Sequence, residues 1–472
     1  MVSSQLTQPL DGGWGWCVVF GTFLCLTVTM GVTFSYGVLF VAFVNAFGQS
    51  KSDTAWTGSI FTLVFVISMS FGNALREKIG HRLTVIVGGV VASIGLLTSS
   101  FATHLHQLYF TYGVLVAVGC GMATTCALDI IPKYFKKRYP LAMGLALSGS
   151  GVGQVVFSLS YQVMINFYGW RGMLLILSAF VLHICVSGCL FRPLKPVRVE
   201  VHQTKDEVAC VTNADNTYMQ VADTVTEEDS SHITEMTRHP RIVQCNQKCC
   251  VYVKSFLACI VDVSLLRKPV FLLHMLISIC YGWNYGTVSL HMLKHTTDIG
   301  IDANMGSYLL ALMGGVQLLV RPISGAIGNL LNSRSYIAFS MSSMCCAVAT
   351  IGIIYLTSFA GQIFCYCMYG MGIAGFITLN LIVLIQFNGR NRFGHAVSML
   401  FQVSGITTLL VSPFAGRLRD KYGVYTQAFW IAAAVSMLGS ILSLLLPVVD
   451  KLWNKRNARH ITRTSAENVY SE

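Results

Sequence analysis

The 472-residue sequence predicts an all-α membrane protein of twelve transmembrane helices in two six-helix pseudo-repeats, on three observations. Hydrophobic residues make up 54% of the chain and charged residues only 11%, whereas soluble domains carry about 25% charged residues. Apolar runs recur along the whole chain, and about 20 such residues suffice to cross a ~30 Å hydrocarbon layer as a helix. The two halves also echo each other: SSFATHLHQLYFTYG (99–113) matches TSFAGQIFCYCMYG (357–370), and FYGWRG (167–172) matches KYGVYT (421–426). Duplicated six-helix halves mark secondary transporters, whose solutes bind near the midplane between the repeats.

The first run, 14–40, follows a segment without Lys or Arg and is far longer than a signal-peptide core, so it is expected to remain as a span. Gly12, Gly13 and Gly15 allow a tight turn into it, and Trp14 and Trp16 sit where an aromatic belt anchors a helix. The second and third, 54–75 and 83–101, flank the basic loop NALREKIGHR. The fourth, 107–131, contains Asp129, the only acid inside a predicted span, one turn before Lys133. A helical Asp–Lys pair at the membrane border accounts for it, and a proton or charge relay through Asp129 and Lys133 is the sharper alternative. The fifth and sixth, 141–165 and 172–191, include the small-residue stretch GLALSGSGVGQ, which suits close helix packing. The second half has runs at 269–292, 305–329, 335–357, 360–386, 394–416 and 425–449.

Between the halves the hydropathy collapses, and residues 199–237 are acidic, which predicts disorder. The expected organisation is a cytosolic N-terminus (1–13), a six-helix bundle (14–192), a cytosolic loop (193–267), a second bundle (268–449) and a basic tail (450–472). Lys and Arg concentrate in the short loops that share a side with the N-terminus, which places both termini in the cytosol. The net charge of +12 therefore reflects topology, and nucleic acid is a poor explanation of it. No metal-ligand spacing, cofactor motif or catalytic constellation is visible, and an enzyme is not expected. The cluster Cys245, Cys249, Cys250 and Cys259 lacks zinc spacing and is read as cytosolic thiols.

Of the 32 lysines and arginines, Arg321 alone falls within a span. An intramembrane cation costs about 2.5 to 3.5 kcal/mol on insertion scales and normally faces a bundle interior, a wet cavity or an anionic partner. Neighbouring carbonyls could satisfy it, but a guanidinium also offers a planar two-donor fork to a substrate carboxylate. Candidate cavity-lining groups around it are Phe34, Tyr36, Asn284, Tyr285, Gln317, Asn380 and Gln402, although interhelical hydrogen bonding explains the buried amides equally well. His183, His274 and His395 show no ligand spacing.

Two segments carry a resemblance to a known family. DGGWGW (11–16) and KYFKKRYPLAMGLALSGSGVG (133–153) are similar to the two signatures of the monocarboxylate transporters, solute carrier family 16 of the major facilitator superfamily. The likeness rests on Asp11, Gly12, Gly13, Trp14, Trp16, Tyr134, Phe135, Arg138 and Gly144, and extends through WRG (170–172), DVSLLRKPVF (262–271) and RPISG (321–325). It implies the major facilitator fold, a small organic carboxylate as substrate, a plasma-membrane location and, as in some relatives, a single-span ancillary glycoprotein. Family members that carry lactate with a proton have a Lys in the first span and an Asp one turn before the Arg of the eighth. Here those positions are Phe34 and Gln317, so the resemblance supports a carboxylate contact more than proton coupling. The expected function is facilitated diffusion of a monocarboxylate or a zwitterionic or amphiphilic carboxylate by alternating access. A proton-linked symporter and a non-transporting receptor or scaffold are the alternatives. A channel would need repeated polar rings, which the lone Arg does not supply.

Overall fold

The computed structural model describes residues 11–49, 51–192, 263–301, 303–390 and 392–469. The segment expected to be disordered and the four clustered cysteines lie outside the described residues. The described part of the first half comprises α1 (Trp14–Phe34), α2 (Tyr36–Phe47), α3 (Lys51–Ser100) and α4 (Leu105–Leu108), which passes through a π-helical stretch (Tyr109–Val116) into α5 (Ala117–Tyr134). It ends with α6 (Tyr139–Val181) and α7 (His183–Leu190). The second half comprises α8 (Val263–Leu266), α9 (Pro269–Asp298), α10 (Ala303–Leu331), a 3-10 turn (Asn332–Arg334), α11 (Ser335–Tyr355), α12 (Phe359–Asn388), α13 (Phe393–Tyr422) and α14 (Thr426–Val469).

Eight helical stretches among the described residues are long and apolar enough to cross a membrane. Three of them fold back on themselves. In α3, Gly72 and Gly88 both press against Gly119–Met122, while Ile60 and Gly95 both lie against the π-helical stretch. Its two arms therefore run antiparallel about Gly80, where φ is +83°. In α6, Phe157 and Phe180 stack edge to face at 5.5 Å across the break at Gly169, where φ is +67°. The third reversal is the turn at Asn332–Arg334, beyond which Ser335 hydrogen-bonds back to Gly328 O at 3.0 Å. With α9 packed beside them, the helices fit the twelve expected crossings.

The pseudo-repeat is visible in the turns. Positive φ occurs at Gly48 and Gly300, at Gly80 and Asn332, and at Gly169 and Gly423, each pair at corresponding connections of the two halves. Asn332 occupies the left-handed position that Gly80 fills in the first half, one of the few non-Gly types that tolerate it. The final helix runs to Val469, past the expected end of the last span at residue 449, so the start of the basic tail is helical.

Candidate functional site

The fifth and eighth spans meet across the two halves because glycines face each other. A Cβ on Gly144 would lie 2.6 Å from Arg321 O and 3.0 Å from Gly325 Cα, and one on Gly151 would lie 2.8 Å from Leu318 N. In a bilayer such small-residue contacts replace the missing hydrophobic drive. Arg321 sits at this crossing, only 2% exposed. Its Nη1 donates to Leu147 O at 3.2 Å and its Nη2 to Gln317 Oε1 at 3.0 Å, while Nε is buried without a partner. Gln317 Nε2 donates in turn to Gln154 Oε1 at 3.4 Å. Tyr281 and Tyr285, stacked at 5.8 Å, lie within electrostatic reach of the guanidinium, and Tyr281 also stacks on Phe376 at 4.2 Å.

Arg321, Gln317 and Tyr285 thus come together, with Gln154 and Tyr281 as members that sequence reasoning missed. The remaining candidates have other contacts. Tyr36 turns into the first half, donating its hydroxyl to Thr54 O at 3.1 Å and packing on Tyr112 at 5.8 Å. Phe34 is half-buried at the end of α1, next to Ser35, whose hydroxyl is 3.3 Å from that of Ser158. Asn284 donates to Thr350 Oγ1 and Ala432 O and accepts from the Tyr369 hydroxyl, so it ties helices of the second half together. Asn380 pairs with His274 at 2.5 Å, and Gln402 donates to Ser70 Oγ at 2.6 Å.

The basic loop NALREKIGHR of the first half builds a second polar centre. Asp129, its side chain 4% exposed, pairs with Arg76 and with His81 at 2.9 Å as well as with the expected partner Lys133 at 3.2 Å. Burial, then the charges of Lys133 and Arg76, push the His81 imidazole down. One turn away, Asn73 donates to Gly394 O at 2.8 Å and Ser398 Oγ at 2.6 Å, and Glu77 meets His395 at 2.8 Å. These links join the second and eleventh spans. The signal for them was the row of polar residues at both span ends, whose pairing across some three hundred positions sequence could not supply.

The two signature segments meet in one cluster. Asp11 Oδ1 accepts from the backbone N–H groups of Lys136, Lys137 and Arg138 at 2.7, 2.9 and 3.3 Å, and Asp11 N donates to Tyr134 O at 3.1 Å. Burial works against the charge, but those N–H donors outweigh it and hold the Asp11 carboxyl below its ordinary value. Trp14 Nε1 donates to Leu190 O at 3.1 Å while Arg192 stacks over its ring at 3.7 Å, and Trp16 packs edge to face on Phe135. Gly13, at φ +56°, makes this turn without steric strain.

A helical bundle with a buried cation between two related halves is the build of a carrier, and residues 22–405 match the Major Facilitator Superfamily. The chain belongs to that superfamily and is a membrane transporter. It is 28% identical to monocarboxylate transporter 12 of Homo sapiens over 93% of this chain and 81% of that protein, and 29% identical to monocarboxylate transporter 13 of Bos taurus over 93% and 91%. Monocarboxylate transporter 2 of Mus musculus is 28% identical over 98% and 92%. Among solved structures, the human organic anion transporter MFSD10 (TETRAN) superposes with a TM-score of 0.64 at 11% identity, covering 91% of this chain and 99% of that one. The E. coli fucose:proton symporter FucP gives 0.61 at 13% identity over 91% and 99%. These two carry the fold alone, whereas the monocarboxylate transporter relatives bear out the likeness of the signature segments.

Proposed function

We propose that the protein moves a small organic monocarboxylate, or a zwitterionic or amphiphilic carboxylate, across the plasma membrane by alternating access, as facilitated diffusion with little or no proton coupling. The observation that carries this reading is Arg321: a buried guanidinium at the crossing of the two halves with its Nε unpartnered. Leaving a buried donor unsatisfied costs about 1 to 3 kcal/mol, and a carboxylate would recover that cost while gaining charge-assisted hydrogen bonds. Gln317, one turn away, accepts from the guanidinium and does not titrate, which supports uncoupled movement. The names of the relatives point to the same substrate class.

The test is uptake of a panel of carboxylates and their methyl esters by cells expressing the protein, with Arg321→Lys and Arg321→Ala at matched surface abundance. The acids are carried and the esters are not. Loss of the paired donors in Arg321→Lys lowers transport by about 1.5 to 3 kcal/mol, roughly ten- to a hundredfold. Wild-type uptake by Arg321→Ala would overturn the assignment. Preloaded substrate accelerates uptake in a carrier, and its failure to do so would favour a receptor.

A further inference from the structure

We propose that the turn after the fourth span, built by Asp11, is a receptor for Arg390, and that this docking is a latch which holds the cytosolic side closed until it is released in each cycle. The inference rests on the reading of the protein as an alternating-access carrier, but not on what Arg321 binds.

The receptor follows from the way α5 ends. In a continuing helix the N–H groups of Lys136, Lys137 and Arg138 would bond back to Pro132, Lys133 and Tyr134. Asp11 Oδ1 takes all three donors instead, and Asp11 N caps Tyr134 O. The carbonyls of the last turn are thereby left without helical partners at the negative end of the helix dipole. Lys136 O would have no partner in any case, because the residue four positions on is Pro140.

Arg390, from the connection between the tenth and eleventh spans, fills this cradle. Its Nη1 donates to Pro132 O at 3.0 Å and Phe135 O at 2.6 Å, and its Nη2 donates to Lys136 O at 3.0 Å. Gly389, at φ +82°, turns the chain toward it, and Tyr139 lies under the guanidinium at 5.9 Å. The cradle is bought with backbone strain: Asp11 is a non-Gly residue at φ +43°, a conformation that persists only where surrounding contacts over-determine it. Thus the N-terminal segment, which belongs to the first half, shapes a site whose occupant belongs to the second.

Alternating access requires the halves to part on this side; besides the bonds of Arg321 and Gln317 at the crossing, the halves are joined by hydrogen bonds of Arg390 with the turn, Asn73 with Gly394, Tyr139 with Leu381 O and Gln402 with Ser70. Arg390 contributes three charge-assisted bonds to backbone groups that side-chain rearrangement cannot replace. Removing it biases the two-state equilibrium toward the form open to the cytosol.

The experiment uses the full chain in membrane vesicles of known orientation, with a membrane-impermeant maleimide as probe and each rate corrected for labelling of the parent chain. Gln402→Cys reports from the cytosolic side and Tyr285→Cys from the outer side. Arg390→Ala raises cytosolic labelling by roughly 5- to 150-fold, the range of a typical coupling between two sites, and lowers outer labelling. Asp11→Ala does the same, and the double variant adds little more, because both changes empty one site. Gel filtration and a thermal midpoint establish that each variant is folded. Should the Ala variant not be recovered, Arg390→Gln, which keeps N–H donors on a shorter side chain and loses the charge, gives the same readout. Unchanged labelling in folded Arg390 variants, a rise on both sides, or independent addition of the two effects would overturn the latch.

Discussion

Replacing Gly144 by Ala tests whether the crossing of the fifth and eighth spans holds Arg321 in place. The added methyl carbon would lie 2.6 Å from Arg321 O, 3.0 Å from Gly325 Cα and 3.2 Å from Gly325 N. All three are backbone atoms, so nothing can swing aside, and the helices must part by roughly 0.8 Å to restore ordinary contact. Overpacking of this kind costs about 1 to 3 kcal/mol. The separation also stretches the bond from Arg321 Nη1 to Leu147 O, already 3.2 Å long, so the guanidinium is misplaced as the interface weakens. Gly315→Ala is the matched control on the same helix as Arg321: no atom lies within 4 Å of its Cβ, so it gains the usual 0.5–1 kcal/mol or so of Ala over Gly in a helix. Thermal unfolding of detergent-purified protein should place Gly144→Ala a few degrees below wild type and Gly315→Ala at or above it, with uptake reduced only in the former. Equal or raised stability and normal uptake in Gly144→Ala would refute the reasoning.

Asp129→Asn should destabilise by up to about 3 to 5 kcal/mol, because Arg76, with 9% of its side chain exposed, loses its buried partner; a thermal midpoint within a degree of wild type would contradict this. At the C-terminal end of α9, burial opposes the charge of Asp298, but Lys294 and Arg419 outweigh it and hold its carboxyl below 3.8. Its contribution is therefore fully present above pH ~4 and disappears as pH falls through the lower folded value. The stability gap between wild type and Asp298→Asn, about 0.2 to 1 kcal/mol for a pair this exposed, should close on acidification, and a gap that widened would reverse the sign. Because Gln317 does not titrate, uptake at outer pH 6 and 8 with inner pH held at 7 should be alike, and Gln317→Asp should make it pH-dependent. A steep acid stimulation of the wild type would refute uncoupled transport and direct attention to Asp129.

The helical architecture was legible because hydropathy and duplicated segments are local signals. Arg321 stood out for the same reason, as a single charge in an apolar run. The neutral candidates behaved differently. Whether Asn284 faces a cavity or bonds to Ala432 O depends on the rotation of one helix against others distant in sequence, and the apolar periodicity is too uniform in a lipid-facing bundle to fix that rotation. Asp129 showed only its i+4 neighbour Lys133, whereas Arg76 and His81 reach it from beyond another connection. Arg390 gave no sign of its role, since it bonds to carbonyl oxygens, which every residue possesses.

The π-helical stretch Tyr109–Val116 fixes the angular phase of everything that follows in the fourth span. At 3.6 residues per turn, each residue added to or taken from a helix rotates the downstream face by about 100°. A wide turn absorbs one extra residue, so the positions beyond Ala117 meet their neighbours as they would on a chain one residue shorter. Here those positions include Gly119, packed on Gly88, and Asp129, aimed at Arg76. Such a stretch is where the span can gain or lose a single residue without turning the carboxylate of Asp129 into lipid, so the length of the helix before it is uncoupled from the facing of the residues after it.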